Sequence, residues 1–430
     1  MPTPVSNPLG YHLTFHMPSD NPSRSSKFWL FDLTREERST LIATFGGWAL
    51  DGMDVMIYSF VIPTLMALWH LTQGQAGLLS TVALLVSAVG GWLAGILADR
   101  FGRARILQLT ILWFAVFTFL SGFTNSFGQL LITRGLQGLG FGGEWAVGAV
   151  LMGEAIRAQH RGKAVGTVQS GWAIGWAVAA LVYTAVFSWL PATLAWRILF
   201  WIGIAPSFLV YYIQRHVPEP QLAPKPAGQV TSSNFLEIFS PSLLRVTLLV
   251  SLLAVGAQGG YYAVTTWLPT YLKTVRGLSV LGTGNYLLVV IAGSFAGYLT
   301  SAWLTDRLGR KPTLLLFAVC SLCTVVGYTW LSIGDRLMLF LGFPLGFFAS
   351  GSFGPMGAFF TELFPTRVRG SGQGFSYNVG RGIGALFPTL VGVLGARMGL
   401  GQAIAAFAAI AYFTMACATL ALPETRGREL

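Results

Sequence analysis

The sequence predicts an all-α membrane protein: twelve transmembrane helices in two pseudo-symmetric six-helix halves. Three observations predict it. The chain of 430 residues is 53% hydrophobic and only 10% charged, against roughly 25% charged in an ordinary soluble domain. Apolar segments of about 20 residues, long enough to cross a bilayer, recur along its whole length. A set of charged and turn-forming residues in the first half returns in the second at a nearly constant offset.

The candidate spans are 39–67, 75–98, 104–122, 127–156, 163–190 and 194–216, then 243–272, 280–305, 311–332, 336–364, 370–398 and 401–422. They divide the chain into an N-terminal tail (1–38), a first half (39–216), a linker (217–242), a second half (243–422) and a short C-terminal tail (423–430). Residues Met1–Ser26 are rich in Pro, Ser and Asn and lack the apolar core of a signal peptide. Next comes Phe28-Trp29-Leu30-Phe31, which suits an interfacial anchor. Thr34-Arg35-Glu36-Glu37 then has capping-box spacing, with Thr34 at the N-cap and Glu37 at N3. The linker carries Pro218, Pro220, Pro224, Pro226 and Gly228. Cys320 and Cys323 form a CxxC inside the apolar run Leu314–Leu331 and read as small apolar filler.

The net charge of +11 does not point to nucleic acid, because the basic residues sit in short loops between apolar segments. Both tails and the loops on the same side hold 20 of the 27 Lys and Arg. The opposite side holds only Arg197, Lys273, Arg276, Arg336 and Arg397. By the positive-inside rule both termini are cytoplasmic, as expected of an inner (plasma) membrane protein.

The repeat is read from matched features. Asp99-Arg100-Phe101-Gly102-Arg103 returns as Asp306-Arg307-Leu308-Gly309-Arg310. Glu154 with Arg161 returns as Glu362 with Arg369, and Pro63-Thr64 as Pro269-Thr270. Two six-helix halves in parallel orientation suggest a transporter with its site at their interface. The 52 glycines, many four apart as in Gly91/Gly95, Gly171/Gly175 and Gly293/Gly297, let helix backbones approach closely where lipid supplies no hydrophobic drive.

These residues resemble a known superfamily. Gly95-Ile96-Leu97-Ala98-Asp99-Arg100-Phe101-Gly102-Arg103 is similar to the loop signature of the major facilitator superfamily. Arg134-Gly135-Leu136-Gln137-Gly138 resembles its fourth-helix motif, associated with proton coupling, and Pro423-Glu424-Thr425-Arg426-Gly427 the chain-end signature of its sugar-porter-like branch. One departure is Ala302, where the repeated loop motif usually has Gly. In the first span, Asp51-Gly52-Met53-Asp54 resembles the motif of proton-coupled aromatic-acid symporters and those of sialate and monocarboxylate symporters. Gly142-Gly143-Glu144-Trp145 is closer to the sialate and metabolite groups. The fifth span has Gly171-Trp172-Ala173-Ile174-Gly175 where antiporters of the superfamily carry a Gly-Pro pair. The resemblance implies the major facilitator fold and a proton symporter of a small organic anion. An aromatic-acid or sialic-acid symporter, or a proton-driven exporter, is the alternative.

Within the spans the charges are few. Asp51, Asp54 and Glu144 are intramembrane acids, and an ionisable group there is a functional candidate by default. Asp51 and Asp54 are three apart and share a helix face. Burial disfavours the charged form of each, and a like charge nearby disfavours it further, so these acids suit loading and release of a proton. The five histidines fall in tails, loops or helix ends, leaving the role to the carboxylates. Arg134 suits stabilising the charged form of a neighbouring acid. Arg381, in Asn378-Val379-Gly380-Arg381, has a fork suited to a carboxylate. It would clamp the substrate anion, pair with one of the acids, or do both in turn.

Asp51 and Asp54 have no acidic counterparts in the second half, which offers Gln258, Tyr261 and Tyr262 at that depth. With Tyr58, Trp172, Trp176 and Asn378 they complete the expected substrate pocket. At the cytoplasmic ends, Asp99, Arg100, Arg103, Glu154 and Arg161, with their repeats Asp306, Arg307, Arg310, Glu362 and Arg369, are expected to latch an inner gate. The expected partners are the anion, protons and the lipid bilayer, with the chain working as a monomer. No cofactor, metal or enzymatic constellation is expected in the spans.

Overall fold

The computed structural model describes residues 29–157, 160–217 and 235–426, the side chains of 99, 145, 146, 149, 161, 162, 165, 235 and 366 excepted. The first half contains α1 (Arg35–Trp69), α2 (Gln73–Phe101), α3 (Arg103–Ser121), α4 (Phe127–Ala155), α5 (Arg161–Trp189), α6 (Ala192–Ile202) and α7 (Pro206–His216). The second contains α8 (Leu244–Thr270), α9 (Val280–Leu308), α10 (Arg310–Thr329), α11 (Asp335–Gly351), α12 (Phe353–Leu363), α13 (Arg369–Gly384), α14 (Phe387–Met398) and α15 (Leu400–Ala421). Among the described residues, eleven helical segments are long and apolar enough to cross a membrane. α4 is as long as its neighbours and packs against α2 and α3.

Three expected spans are broken rather than continuous. The sixth divides into α6 and α7, with Gly203 ending one and Pro206 opening the other. The tenth breaks at Ser352, between α11 and α12. The eleventh breaks at Ala385–Leu386, just before Pro388 near the start of α14. Proline lacks the N–H that the preceding turn needs, and its ring crowds the carbonyl four residues back. Pro63 and Pro269, by contrast, lie inside α1 and α8. The first helix starts at the expected capping box: the Glu37 N–H donates to Thr34 Oγ1, and the Thr34 N–H donates to Glu37 Oε2 at 2.9 Å.

The repeat holds in three dimensions. Gly102 and Gly309 join α2 to α3 and α9 to α10 at φ 101° and 106°, a region in which a side chain would be strained. The following arginine does the same work in both halves. Arg103 donates to the Ala98 carbonyl and pairs with Glu154 at 3.1 Å; Arg310 donates to the Thr305 carbonyl and pairs with Glu362 at 2.9 Å.

The charges expected to latch an inner gate pair locally in this structure. Each pair stays within its own half, because the arginine opens the helix that lies beside the glutamate's helix. Arg310 also bonds Asp306, while Arg307 and Arg100 lie over the rings of Trp303 and Phe101. Arg369 opens α13. The side chains of Asp99 and Arg161 lie outside the described residues.

The chain end joins the second-half brace. Glu424 accepts the backbone N–H groups of Arg310 and Lys311, both at 3.0 Å, and Thr425 Oγ1 donates to Glu362. Burial alone would raise the Glu424 pKa. The N–H groups of Arg310, Arg426, Thr425 and Lys311 outweigh it and hold the carboxyl below its ordinary range.

Glycine sets the helix spacing. A methyl group on Gly142 of α4 would run into the Ser87 carbonyl of α2, and one on Gly346 of α11 into the Val290 carbonyl of α9. Gly142→Val should therefore destabilise the fold by roughly 4 kcal/mol or more, the range of severe core overpacking. Thermal unfolding in detergent checks this: a large fall in Tm, or loss of folded protein, is expected, while Gly153→Ala, which faces open space, should fold normally.

The halves close on each other at the end away from the basic loops. Thr81 Oγ1 of α2 donates to the Ala385 carbonyl at 2.6 Å, and Thr389 Oγ1 donates to Thr81 Oγ1 at 2.7 Å. Gly77 of α2 packs on Pro388, and Gly284 of α9 on Thr184 of α5. Towards the basic end α2 and α13 part, and Gly95 and Gly374 each face open space. α5 and α9 stay close there, with the Ala302 methyl 4.0 Å from where a Cβ on Gly166 would stand.

Candidate functional site

Helical register assembles the site. On α4, residues 134, 137, 141 and 144 recur at intervals of three and four, so Arg134, Gln137, Phe141 and Glu144 form one stripe. The Asp51/Asp54 face of α1 lies against it. Gly47 makes the approach possible: a Cβ there would overlap the Glu144 carboxyl. Gly52 lets α1 lie against the backbone of Trp172 on α5.

The charges fall into two layers. In the layer nearer the closed end, Arg134 is 2% exposed, which rules out snorkelling to the surface. Its Nη1 stands 3.9 Å from Asp54 Oδ2 and its guanidinium lies 4.8 Å above the Tyr58 ring. Gln137 Nε2 donates to the same Asp54 oxygen. Tyr58 serves packing, its hydroxyl donating to the Ala76 carbonyl of α2 at 2.6 Å.

The second layer holds Asp51, Glu144 and Arg381, which are 1%, 3% and 1% exposed. The Asp51 and Glu144 carboxyl groups face each other, and Arg381 is a cation within electrostatic reach of Asp51. Among the described residues no N–H or hydroxyl reaches either Asp51 oxygen, and Arg381 Nε has no acceptor. The Arg381 guanidinium lies between aromatic rings, 5.3 Å from the centroids of both Phe141 and Tyr377.

A hydrogen-bond relay from α8 supports Arg381. Gln258 Nε2 donates to the Tyr377 carbonyl at 2.9 Å, and the Tyr262 hydroxyl donates to Gln258 Oε1 at 3.2 Å. Tyr262 and Tyr377 both lie within reach of the guanidinium. Gln258 and Tyr262 therefore buttress the Tyr377–Arg381 turn of α13. Trp172 ties the halves together, its indole N–H donating to the Tyr261 hydroxyl at 2.7 Å, and it packs on Trp48 at 4.8 Å.

Two further residues expected in the pocket sit on α13 and α5. Asn378 donates to the Gly374 carbonyl of its own helix and turns its Oδ1 towards Gly91 of α2. Trp176 is buried one turn beyond Trp172, and of the residues expected in the pocket Tyr262 lines the cavity between the halves. That cavity is lined by Val55, Met56 and Ser59 of α1, Ser80, Ala83 and Leu84 of α2, Arg134, Gln137 and Phe141 of α4, and Tyr262, Thr265 and Thr266 of α8. The roles of Phe141 and Tyr377 are additions to the sequence reading. The signals were present: Tyr377 is one turn before Arg381, and Phe141 shares the α4 stripe with Arg134 and Glu144.

The profile of the Major Facilitator Superfamily matches residues 44–388. The chain belongs to the major facilitator superfamily. It is a transporter of that superfamily and not an enzyme. A probable 4-methylmuconolactone transporter of Cupriavidus pinatubonensis is 46% identical over 395 residues, covering 91% of this chain and 92% of the relative. A cis,cis-muconate transport protein of Acinetobacter baylyi is 32% identical over 362 residues, covering 82% and 86%. Among solved structures, that of a D-xylose–proton symporter matches with a TM-score of 0.70 at 22% identity, over 91% of this chain and 99% of the other. At that identity the likeness shows the major facilitator fold alone.

Proposed function

We propose that this major facilitator transporter takes up a small organic acid, as its carboxylate, together with protons. It would do so by alternating access at the plasma membrane, with both termini in the cytoplasm. The observation that carries the reading is Arg381, buried in a helix of the second half and within the field of Asp51, which itself faces Glu144. An unpaired charge at such a depth is costly. Ionised Asp51 neutralises Arg381 in the empty carrier. A proton shared between Asp51 and Glu144 removes that counter-charge, and the substrate carboxylate takes its place on the guanidinium fork. The names of the relatives, a muconolactone transporter and a muconate transport protein, support an organic acid as substrate. Asp54 and Arg134 form a second couple that keeps its charges paired on the closed side.

Proteoliposomes with an inward proton gradient test this. Accumulation of a labelled carboxylate should rise as the outer pH falls and collapse with an uncoupler. Uptake indifferent to both would remove symport.

A further inference from the structure

The cavity beside the two charged layers has a polar character that the proton and carboxylate chemistry does not use. Many buried hydroxyls of this bundle fold back onto their own helix, as Thr44, Thr118, Thr265 and Thr329 do onto carbonyls one turn earlier. Ser59, Ser80 and Thr266 do not. They are 3%, 6% and 5% exposed, they line the cavity from three different helices, and none makes a side-chain hydrogen bond among the described residues. Gln137 adds an acceptor, since its Nε2 is spent on Asp54 while its Oε1 has no donor. Three hydroxyls converging on one cavity, none of them used by a neighbouring side chain, can bond a polar guest that enters it.

We infer that this chamber is a second subsite, which receives an uncharged oxygen function of the substrate, a hydroxyl or a lactone or ester carbonyl. The inference rests on the proposed carboxylate transport and deepens it: the substrate class becomes a monocarboxylic acid with a neutral oxygen group at its far end. Phe141 and Tyr262 link the two subsites, for both line the chamber and both lie against Arg381. A guest would pass between them with its carboxylate on Arg381. The charges at the chamber wall are already matched, because Arg134 faces Asp54 at 3.9 Å. A second carboxylate there would have to compete with Asp54 and would leave its charge partly unpaired.

Three rigid probes of one shape test this: cyclohexanecarboxylate, its trans-4-hydroxy derivative and trans-cyclohexane-1,4-dicarboxylate. Their affinities for the purified chain are measured by titration calorimetry. The hydroxy acid should bind roughly tenfold more tightly than the parent acid, the scale of one or two net hydrogen bonds, and the diacid more weakly than either. Ser80→Ala and Thr266→Val should each shrink the hydroxy-to-parent ratio towards one. Equal binding of parent and hydroxy acid, or variants that weaken both alike, would overturn the subsite and leave the carboxylate reading standing. Tightest binding of the diacid would overturn it in favour of Arg134 as a second carboxylate clamp. No binding of any probe would refute both readings.

Discussion

Asp51→Asn should abolish proton-driven accumulation of the carboxylate while leaving counterflow exchange measurable. In the wild type, Asp51 is the acid that faces both Glu144 and the field of Arg381. Under the proposed symport it is therefore the place where protonation and occupation of Arg381 compete. Asparagine mimics the permanently protonated acid: the clamp stays available, but its availability no longer depends on the proton. Concentration by the gradient should fall to the level reached by simple equilibration, while exchange of labelled for unlabelled carboxylate persists. Glu144→Gln should follow the same direction, since it removes the carboxyl that shares the proton. Asp51 is preferred to Asp54 for this test because Asp54 also balances buried Arg134 and accepts from Gln137. Its loss would mix a folding defect with a coupling defect. Unchanged accumulation in Asp51→Asn would remove it from the coupling scheme.

Arg381→Lys should weaken carboxylate binding roughly 10- to 100-fold. The substitution keeps the charge but loses the planar fork and at least one charge-assisted hydrogen bond, worth about 1.5–3 kcal/mol. It also loses the fit between Phe141 and Tyr377, whose rings flank the guanidinium at 5.3 Å. Affinity measured by calorimetry or by competition of uptake gives the size directly. Equal affinity in the two proteins would make Arg381 a structural residue.

Much of this architecture is legible in the sequence because the bilayer leaves few ways to build it. Apolar run lengths predict the spans, and the paired motifs predict the repeat, whose two halves share the same Gly–Arg turn at Gly102-Arg103 and Gly309-Arg310. The capping box at Thr34 and Glu37 is local chemistry and forms as its spacing requires. The helix breaks at Gly203 and Ser352 were not legible from hydropathy, because a broken helix can be as apolar as a continuous one.

The site was legible as a set of charges but not as a set of contacts. Scarcity singled out Asp51, Asp54, Arg134, Glu144 and Arg381. Nothing in the sequence assigned Arg134 to Asp54, which depends on how α4 packs against α1 within the first half, or Arg381 to Asp51, which depends on how the two halves dock. Asn378 illustrates the same limit: three residues from Arg381, it faces Gly91 of α2. The expected gate charges show another limit. Their repeat was correct, but Arg103 with Glu154 and Arg310 with Glu362 brace each half internally, a distinction that spacing alone does not make.

Substrate-dependent proton movement tests the coupling most directly. Unlabelled carboxylate is added outside proteoliposomes in weak buffer, with no pH gradient imposed, and the outer pH is followed. Wild-type protein should alkalinise the medium as anion and protons enter together. Asp51→Asn should produce no alkalinisation while still exchanging labelled substrate. Uptake without proton movement in the wild type, or full alkalinisation by Asp51→Asn, would contradict the account.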